Sequence, residues 1–355
     1  MTGRPMKIAA VLALGLVALS RRDAAAPALP ETATGPVADH PLPETDPPQG
    51  RDAARPTQIP IRGWRQIVMR TAAAVMEHRV LAVAAGVTFF ILLAFVPALS
   101  AFVSIYGLFA DRATIAEHMG LLEQVLPVGS MAVVQDQVTR LATAGTTAMT
   151  FASVLSLLIA LWSANGATKA MIEALNVAYD EREKRSFVKV TLISFAMTLG
   201  MVGLGLAMIV VVAVLPAVIS FLHVPGESAA LLARWPVILL VMLLVLAGLY
   251  RFGPSRDAAR WRWISPGALV AAVGLVVFSM AFSIYASNFA NFNETYGSLG
   301  ALMGLLTWLW LGSVIVLVGA ELNAEAEKQT NRDTTTGAPR PMGNRNARAA
   351  DVVAL

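Results

Sequence analysis

The chain has 355 residues, of which 56% are apolar and 14% charged, with a formal net charge of +4 and no cysteine. Soluble domains hold about a quarter charged residues, so this composition, with a mean hydropathy of +0.64, excludes an ordinary soluble enzyme and points to a membrane protein. Absent cysteine excludes disulfides, thiolate metal ligands and cysteine nucleophiles.

Residues 1–22 carry a thirteen-residue apolar stretch, 8–20, between Arg4/Lys7 and Arg21/Arg22. It resembles the apolar core of a signal peptide. The two arginines ahead of Ala24-Ala25-Ala26 are poor cleavage context, which favours an uncleaved membrane-touching segment; whether it spans is open. Residues 23–60 read as a disordered linker, because nine of the nineteen prolines fall within 21–60 and no apolar period runs through it.

Residues 61–330 read as a six-helix membrane domain. Trp64, Ile67, Val68 and Val75, interleaved with Arg65 and Arg70, predict an amphipathic helix at the interface. Five apolar runs follow, at 80–109, 146–164, 190–222, 264–286 and 299–320, each near or above the ~20 residues that cross ~30 Å of hydrocarbon. A sixth, 235–250, is short, but Arg251 can snorkel and residues 231–233 extend it at the other end. Pro97 and Pro216 predict kinks in the two longest runs, serving either packing or a hinge. Two short amphipathic helices are expected on the outer surface around Pro127, and Ile172, Leu175 and Tyr179 predict another in the inner headgroup layer. Residues 331–355 read as a disordered tail.

Orientation follows from the basic residues. Eighteen of the 27 fall in alternate segments that would share one side, and only Arg112, Arg140 and Arg234 fall in the three opposite loops. The positive-inside rule therefore places both ends of the six-helix domain in the cytoplasm, and the basic charge becomes a topology signal rather than a nucleic-acid footprint.

Polar groups at the inner ends of the runs are the candidate site. Asn165 and Lys169 close the second, with Glu173 one turn on; Tyr250 and Arg251 close the fourth; Glu321, Asn323 and Glu325 close the last, after twenty residues without a charge. Glu321 and Glu325, four apart on one helix face, are placed to meet Lys169 or Arg251. Either these groups are interfacial ends that fix helix register, or they form a substrate or ion site. Gly200, Gly203 and Gly205, and the Gly300/Gly304 pair, mark expected close helix contacts. The four histidines, His40, His78, His118 and His223, show no pair at metal-ligand spacing, and no Walker, HExxH or GxSxG motif is present. No catalytic residue, cofactor or metal is expected.

Four stretches, LAVAAGVTFFILLAFVPAL, LWSANGATKAMIEALNVAYDEREKRSF, LYRFGPSRDAARWRWISPGA and YGSLGALMGLLTWLWLGSVIVLVGAELNAE, in this order over about residues 64–330, resemble the YihY/BrkB family of bacterial inner-membrane proteins. The family commonly has a tyrosine where this chain has Phe90, so no role of that hydroxyl transfers. The resemblance implies six transmembrane helices and an inner-membrane location. Members have been named as a serum-resistance virulence factor and, mistakenly, as a tRNA-processing ribonuclease, and some resemble lipid or lipopolysaccharide-precursor translocators. The expectation is an all-α, polytopic membrane protein with membrane lipids as partners, self-association left open and no nucleic acid bound. Its leading function is translocation of anionic amphiphiles, with Lys169 and Arg251 holding a phosphate headgroup; the alternative is a non-transporting envelope scaffold or permeability factor. A metal nuclease is disfavoured for want of ligands.

Overall fold

The structure, a computed structural model, describes residues 49–106, 151–221, 227–288 and 300–354. A short 3-10 turn at Pro56–Gln58 precedes α1 (Ile61–Glu77), α2 (Val80–Tyr106), α3 (Phe151–Ala178), α4 (Phe187–Phe221), α5 (Glu227–Phe252), α6 (Trp261–Asn288), α7 (Gly300–Glu327) and the single turn α8 (Arg348–Asp351). The described residues hold no β-strand, only one isolated antiparallel bridge between Ala259 and Thr335.

From α2 to α7 the helices run 26 to 35 residues, about 39 to 52 Å at 1.5 Å per residue. Three carry apolar windows long enough to cross a bilayer by length and composition, Phe187–Leu204, Trp261–Tyr285 and Leu302–Glu327. The pair Ile61–Glu77 and Val80–Phe95 passes the same measure together but is bent by 63°, and Pro236–Phe252 is a shorter apolar stretch. The short run at 235–250 thus belongs to a 26-residue helix.

Each long helix packs on the next in sequence, and α7 returns to α2, so the six close into a ring; α7 also touches α1 and α3. The centre of this ring is built from small residues, Ala84, Ala174, Ala268, Ala271, Ala320 and Ala324 among them, which let helix backbones approach closely. Large apolar side chains point the other way: Phe89, Leu93, Leu192, Leu240, Val277, Met280 and Ile284 are exposed. A water-soluble bundle shows the reverse arrangement.

The closest approach lies between α6 and α7. A Cβ on Gly267 would stand 2.0 Å from the Gly319 carbonyl oxygen, and one on Gly319 would stand 2.7 Å from that of Gly267 and 2.6 Å from the Tyr250 hydroxyl. These glycines, rather than Gly200 and Gly203, make the contact: Gly200 and Gly203 are exposed, and a Cβ on either meets none of the described residues within 4 Å. Gly300 and Gly304 are buried, while Gly205 lies outside the described side chains.

Several expectations change. Ile172 and Leu175 lie in α3 and Tyr179 just past its end, and all three are buried within the protein, Leu175 and Tyr179 in the ring core, rather than laid in a headgroup layer; apolar periodicity alone does not say whether the facing partner is lipid or protein. The described part of the linker, 49–60, is folded, with Ala53 and Ile59 buried. Gly63 permits this, because a Cβ there would collide with the Gln49 carbonyl oxygen at 2.4 Å. Likewise 331–354 is folded against the bundle, with Thr334, Thr335, Arg345 and Ala349 buried. Pro97 and Pro216 fall within α2 and α4, in stretches whose side chains lie outside those described, while Pro236 and Pro266 lie inside α5 and α6; the outer helices around Pro127 and the 8–20 segment lie outside the described residues.

A buried polar chamber as candidate functional site

The α1 helix ends where His78 donates its backbone N–H to Ala74 at 2.8 Å, and Arg79 takes a left-handed conformation at φ +50°. The Arg79 carbonyl then accepts from Ala82 and Val83 and starts α2. A left-handed non-glycine residue is uncommon, and here it turns the chain sharply enough for α1 to lie across the end of α7. That corner brings the His78 ring into the bundle.

The last two turns of α7 are where polarity resumes after the uncharged run, yet they do not emerge into solvent. Glu321, Asn323 and Glu327 are fully buried and Glu325 nearly so. Each carboxylate meets a basic side chain: Glu321 Oε1 lies 2.7 Å from His78 Nδ1 at the α1–α2 corner, Glu325 Oε2 lies 2.7 Å from Arg70 Nε on α1, and Glu327 Oε2 lies 2.7 Å from Arg256 Nη2 on the α5–α6 connection. Lys328 adds a second cation to Glu325 at 2.7 Å. Asn323 Oδ1 accepts from the Gly267 backbone N–H at 2.8 Å, and the Tyr250 hydroxyl donates to the Val316 carbonyl at 2.7 Å. Buried charges persist only when so paired.

Around them the chamber is capped. Arg70 Nη2 donates to Gln329 Oε1 at 2.6 Å, and Gln329 donates to the Gln49 carbonyl at 2.8 Å. The Thr334 hydroxyl donates to Glu327 at 2.6 Å, Arg345 donates to the Ala350 and Asn331 carbonyls at 2.6 and 2.8 Å, and Arg348 pairs with Asp180. Tyr179 lies under the Arg256 guanidinium, 4.9 Å from ring centroid to Cζ. Burial pushes its phenol far above the usual tyrosine range and keeps it neutral. Its hydroxyl stands near the Asn323 amide without closing a hydrogen bond, and Tyr179 Oη, Asn323 Nδ2, Glu321 Oε2 and Arg256 Nη1 are buried without partners among the described residues.

His78 forms part of the wall of a cavity of about 310 Å³, with Arg70, Asp180, Glu325, Lys328 and Arg348. Its hydrogen bond to Glu321 raises its pKa above the ordinary 6.5, outweighing the lowering by burial.

The expected site residues therefore separate. Tyr250, Glu321, Asn323 and Glu325 enter the chamber, but Glu321 and Glu325 meet His78, Arg70 and Lys328 rather than Lys169 or Arg251. Lys169 donates to the Thr191 hydroxyl at 2.9 Å and stands over the Phe187 ring at 4.7 Å and Trp162 at 5.6 Å. Arg251 donates to the Ala259 carbonyl and stacks on Trp261 at 4.7 Å. Both cations lie beside exposed aromatics. Glu173 is exposed and does not reach Lys169, while Asn165 is buried within α3 with an unpartnered Oδ1. Sequence reasoning missed His78, Arg256, Glu327 and Tyr179 as chamber members. A histidine or arginine in a connecting segment carries no periodic signal, and Glu327 reads as the polar end of a helix. Among the described residues no group of three His, Asp or Glu is placed to hold a metal ion.

A ring of long helices, apolar outside, alanine-rich inside and with buried ion pairs at one end, defines an integral membrane protein. The chain belongs to the Virulence factor BrkB family, whose model matches residues 71–343. It is 34% identical over 223 residues to YfkH of Bacillus subtilis, named as a ribonuclease-like protein, covering 59% of this chain and 78% of YfkH. It is 25% identical over 259 residues to a UPF0761 membrane protein of Nitrosospira multiformis, covering 70% of this chain and 58% of the relative. Over 258 residues it is 28% identical to a UPF0761 membrane protein of Neisseria meningitidis serogroup B, covering 70% and 60%. The chain thus spans about three fifths of the UPF0761 relatives. No solved structure matches.

Proposed function

We propose that this protein crosses the bacterial inner membrane six times, with both ends of the six-helix domain in the cytoplasm, and moves anionic lipids or related amphiphiles between leaflets. One observation carries the reading: the four segments that hold eighteen of the 27 basic residues meet at one end of the bundle. Arg70 from α1 reaches Glu325, Arg256 from the α5–α6 connection reaches Glu327, and Arg348 from the carboxyl-terminal segment reaches Asp180 after α3. The positive-inside rule makes that end cytoplasmic. On its rim, Lys169 and Arg251 sit against exposed aromatic rings, an arrangement that suits a headgroup phosphate at the membrane surface.

The second reading is a non-transporting envelope scaffold, favoured by the close pairing of the chamber carboxylates, which then serve only to lock helices together. Reconstitution separates the two. Purified protein in liposomes is expected to speed exchange of labelled anionic phospholipid between leaflets, and Lys169→Ala or Arg251→Ala is expected to slow it with the fold intact. Exchange no faster than in empty vesicles would favour the scaffold.

A further inference from the structure

A second cavity, of about 430 Å³, opens between the first turn of α4 and the last turn of α5. This size lies within the ~300–1,000 Å³ common for ligand sites. Five cations line it, Lys184, Arg185, Lys189, Arg251 and Arg256, against one acid, Asp257. Most of this charge is answered. Lys184 meets Glu181 at 3.0 Å, Arg185 meets Glu183 at 2.8 Å, Arg256 meets Glu327 at 2.7 Å, and Asp257 is itself neutralised by Arg340 at 2.7 Å. Lys189 and Arg251 are not: among the described residues neither has a carboxylate partner, and Arg251 spends one nitrogen on the Ala259 carbonyl.

Other acceptors nearby are already occupied. The orphan carbonyls at the end of α5, Phe252 and Gly253, accept from Arg185 at 3.3 and 2.7 Å, so they do not compete for Lys189 or Arg251. Arg256, whose side chain is 2% exposed, keeps a buried Nη1 without a partner, a state that loses its hydration without replacement. The cavity also borders the amino-terminal turn of the 35-residue α4, where Ser186 Oγ accepts from the Lys189 N–H at 3.4 Å and the helix dipole favours an anion. Two unanswered cations and a helix start therefore line the cavity, together with Arg256 from the α5–α6 connection. Exposed apolar surface adjoins it: Phe252 is among the lining residues, Trp261 packs on both Phe252 and Arg251, and Phe187 and Val188 directly follow the lining Ser186.

Resting on the lipid reading above, we propose that this cavity binds the phosphate group of an anionic lipid headgroup, with Lys189 and Arg251 as its principal contacts and the acyl chains lying along the exposed Phe187 and Trp261 side. Guanidinium and ammonium donors match phosphate oxygens, and the aromatic rim matches a ligand that is apolar beyond its headgroup.

The test uses the full chain in detergent micelles, with thermal protection measured against short-chain phosphatidylglycerol and, separately, inorganic phosphate. Saturable protection by phosphatidylglycerol is expected, with half-saturation shifted at least tenfold higher in Lys189→Gln and in Arg251→Gln, and restored in Lys189→Arg. Lys189 is exposed, so its variant keeps the test valid if Arg251→Gln fails to fold. Protection by phosphatidylglycerol but not by inorganic phosphate supports the lipid as the source. Equal protection by inorganic phosphate overturns the lipid assignment, and protection by neither, or unchanged in the variants, overturns the site. Because binding is read without transport, a site that binds in a protein that moves no lipid would reject translocation alone.

Discussion

At the scale of single residues, the Glu327–Arg256 pair is the most consequential contact. Both side chains are removed from solvent, at 0% and 2% exposed, and removal of one partner strands the other. Glu327→Gln is expected to lower unfolding stability by about 3–5 kcal/mol, whereas a double Glu327→Leu/Arg256→Met variant recovers most of the loss. Thermal unfolding in detergent reads both; equal loss in the single and double variants would show that packing rather than charge sets the stability. The His78–Glu321 contact adds a pH dependence. With its folded pKa raised above 6.5 by the Glu321 bond, protonated His78 contributes stability that is complete below the unfolded value and is lost as pH rises through the raised one. Melting of the wild type should therefore fall between mildly acidic and mildly alkaline buffer by more than melting of His78→Ala; identical profiles would remove His78 from the effect. The sequence made Glu321 visible as a carboxylate following an uncharged run. Its partner was not, because His78 lies 243 positions earlier and is delivered by a bend at Arg79.

At the scale of elements, close approach is set by two glycines on adjoining helices. Gly319→Ala places a methyl 2.6 Å from the Tyr250 hydroxyl and 2.7 Å from the Gly267 carbonyl, and overpacking of this kind costs about 1–3 kcal/mol. Gly200→Ala, which meets none of the described residues within 4 Å, is expected to leave stability unchanged. Equal losses in the two variants would contradict the assignment of the α6–α7 contact. The long helices were legible because twenty-residue apolar runs have few alternatives. Which glycines face a neighbour was not, since a glycine facing lipid reads the same as one facing a helix. The Ile172, Leu175 and Tyr179 stripe failed for a related reason: it identified a helix with one apolar face, and that face turned out to meet α2 and its neighbours in the ring.

For the whole molecule, the segments read as unstructured close the chamber. Residues 331–354 are rich in Thr, Arg, Asn and Gly, a composition with no apolar period, and they are held by specific polar contacts such as Thr334 to Glu327 and Arg345 to two backbone carbonyls. Composition cannot anticipate a fold built this way, because its stability depends on a surface supplied by the rest of the chain. Truncation of 331–355 is expected to lower the melting temperature and to open the Arg256–Glu327 pair to solvent; an unchanged melting curve would show the segment to be dispensable. The all-helical, apolar character of the chain and its basic asymmetry, in contrast, were readable at this scale, because both are properties of long stretches. The same asymmetry carries the central claim, that the polar chamber faces the cytoplasm. The chain has no cysteine, so single thiols report directly on sidedness. In intact cells made permeable only to their outer membrane, Asn293→Cys is expected to react with an impermeant thiol reagent, while Ala338→Cys, in the exposed part of the carboxyl-terminal segment, reacts only after the inner membrane is opened. Labelling of Ala338→Cys from outside would contradict the account.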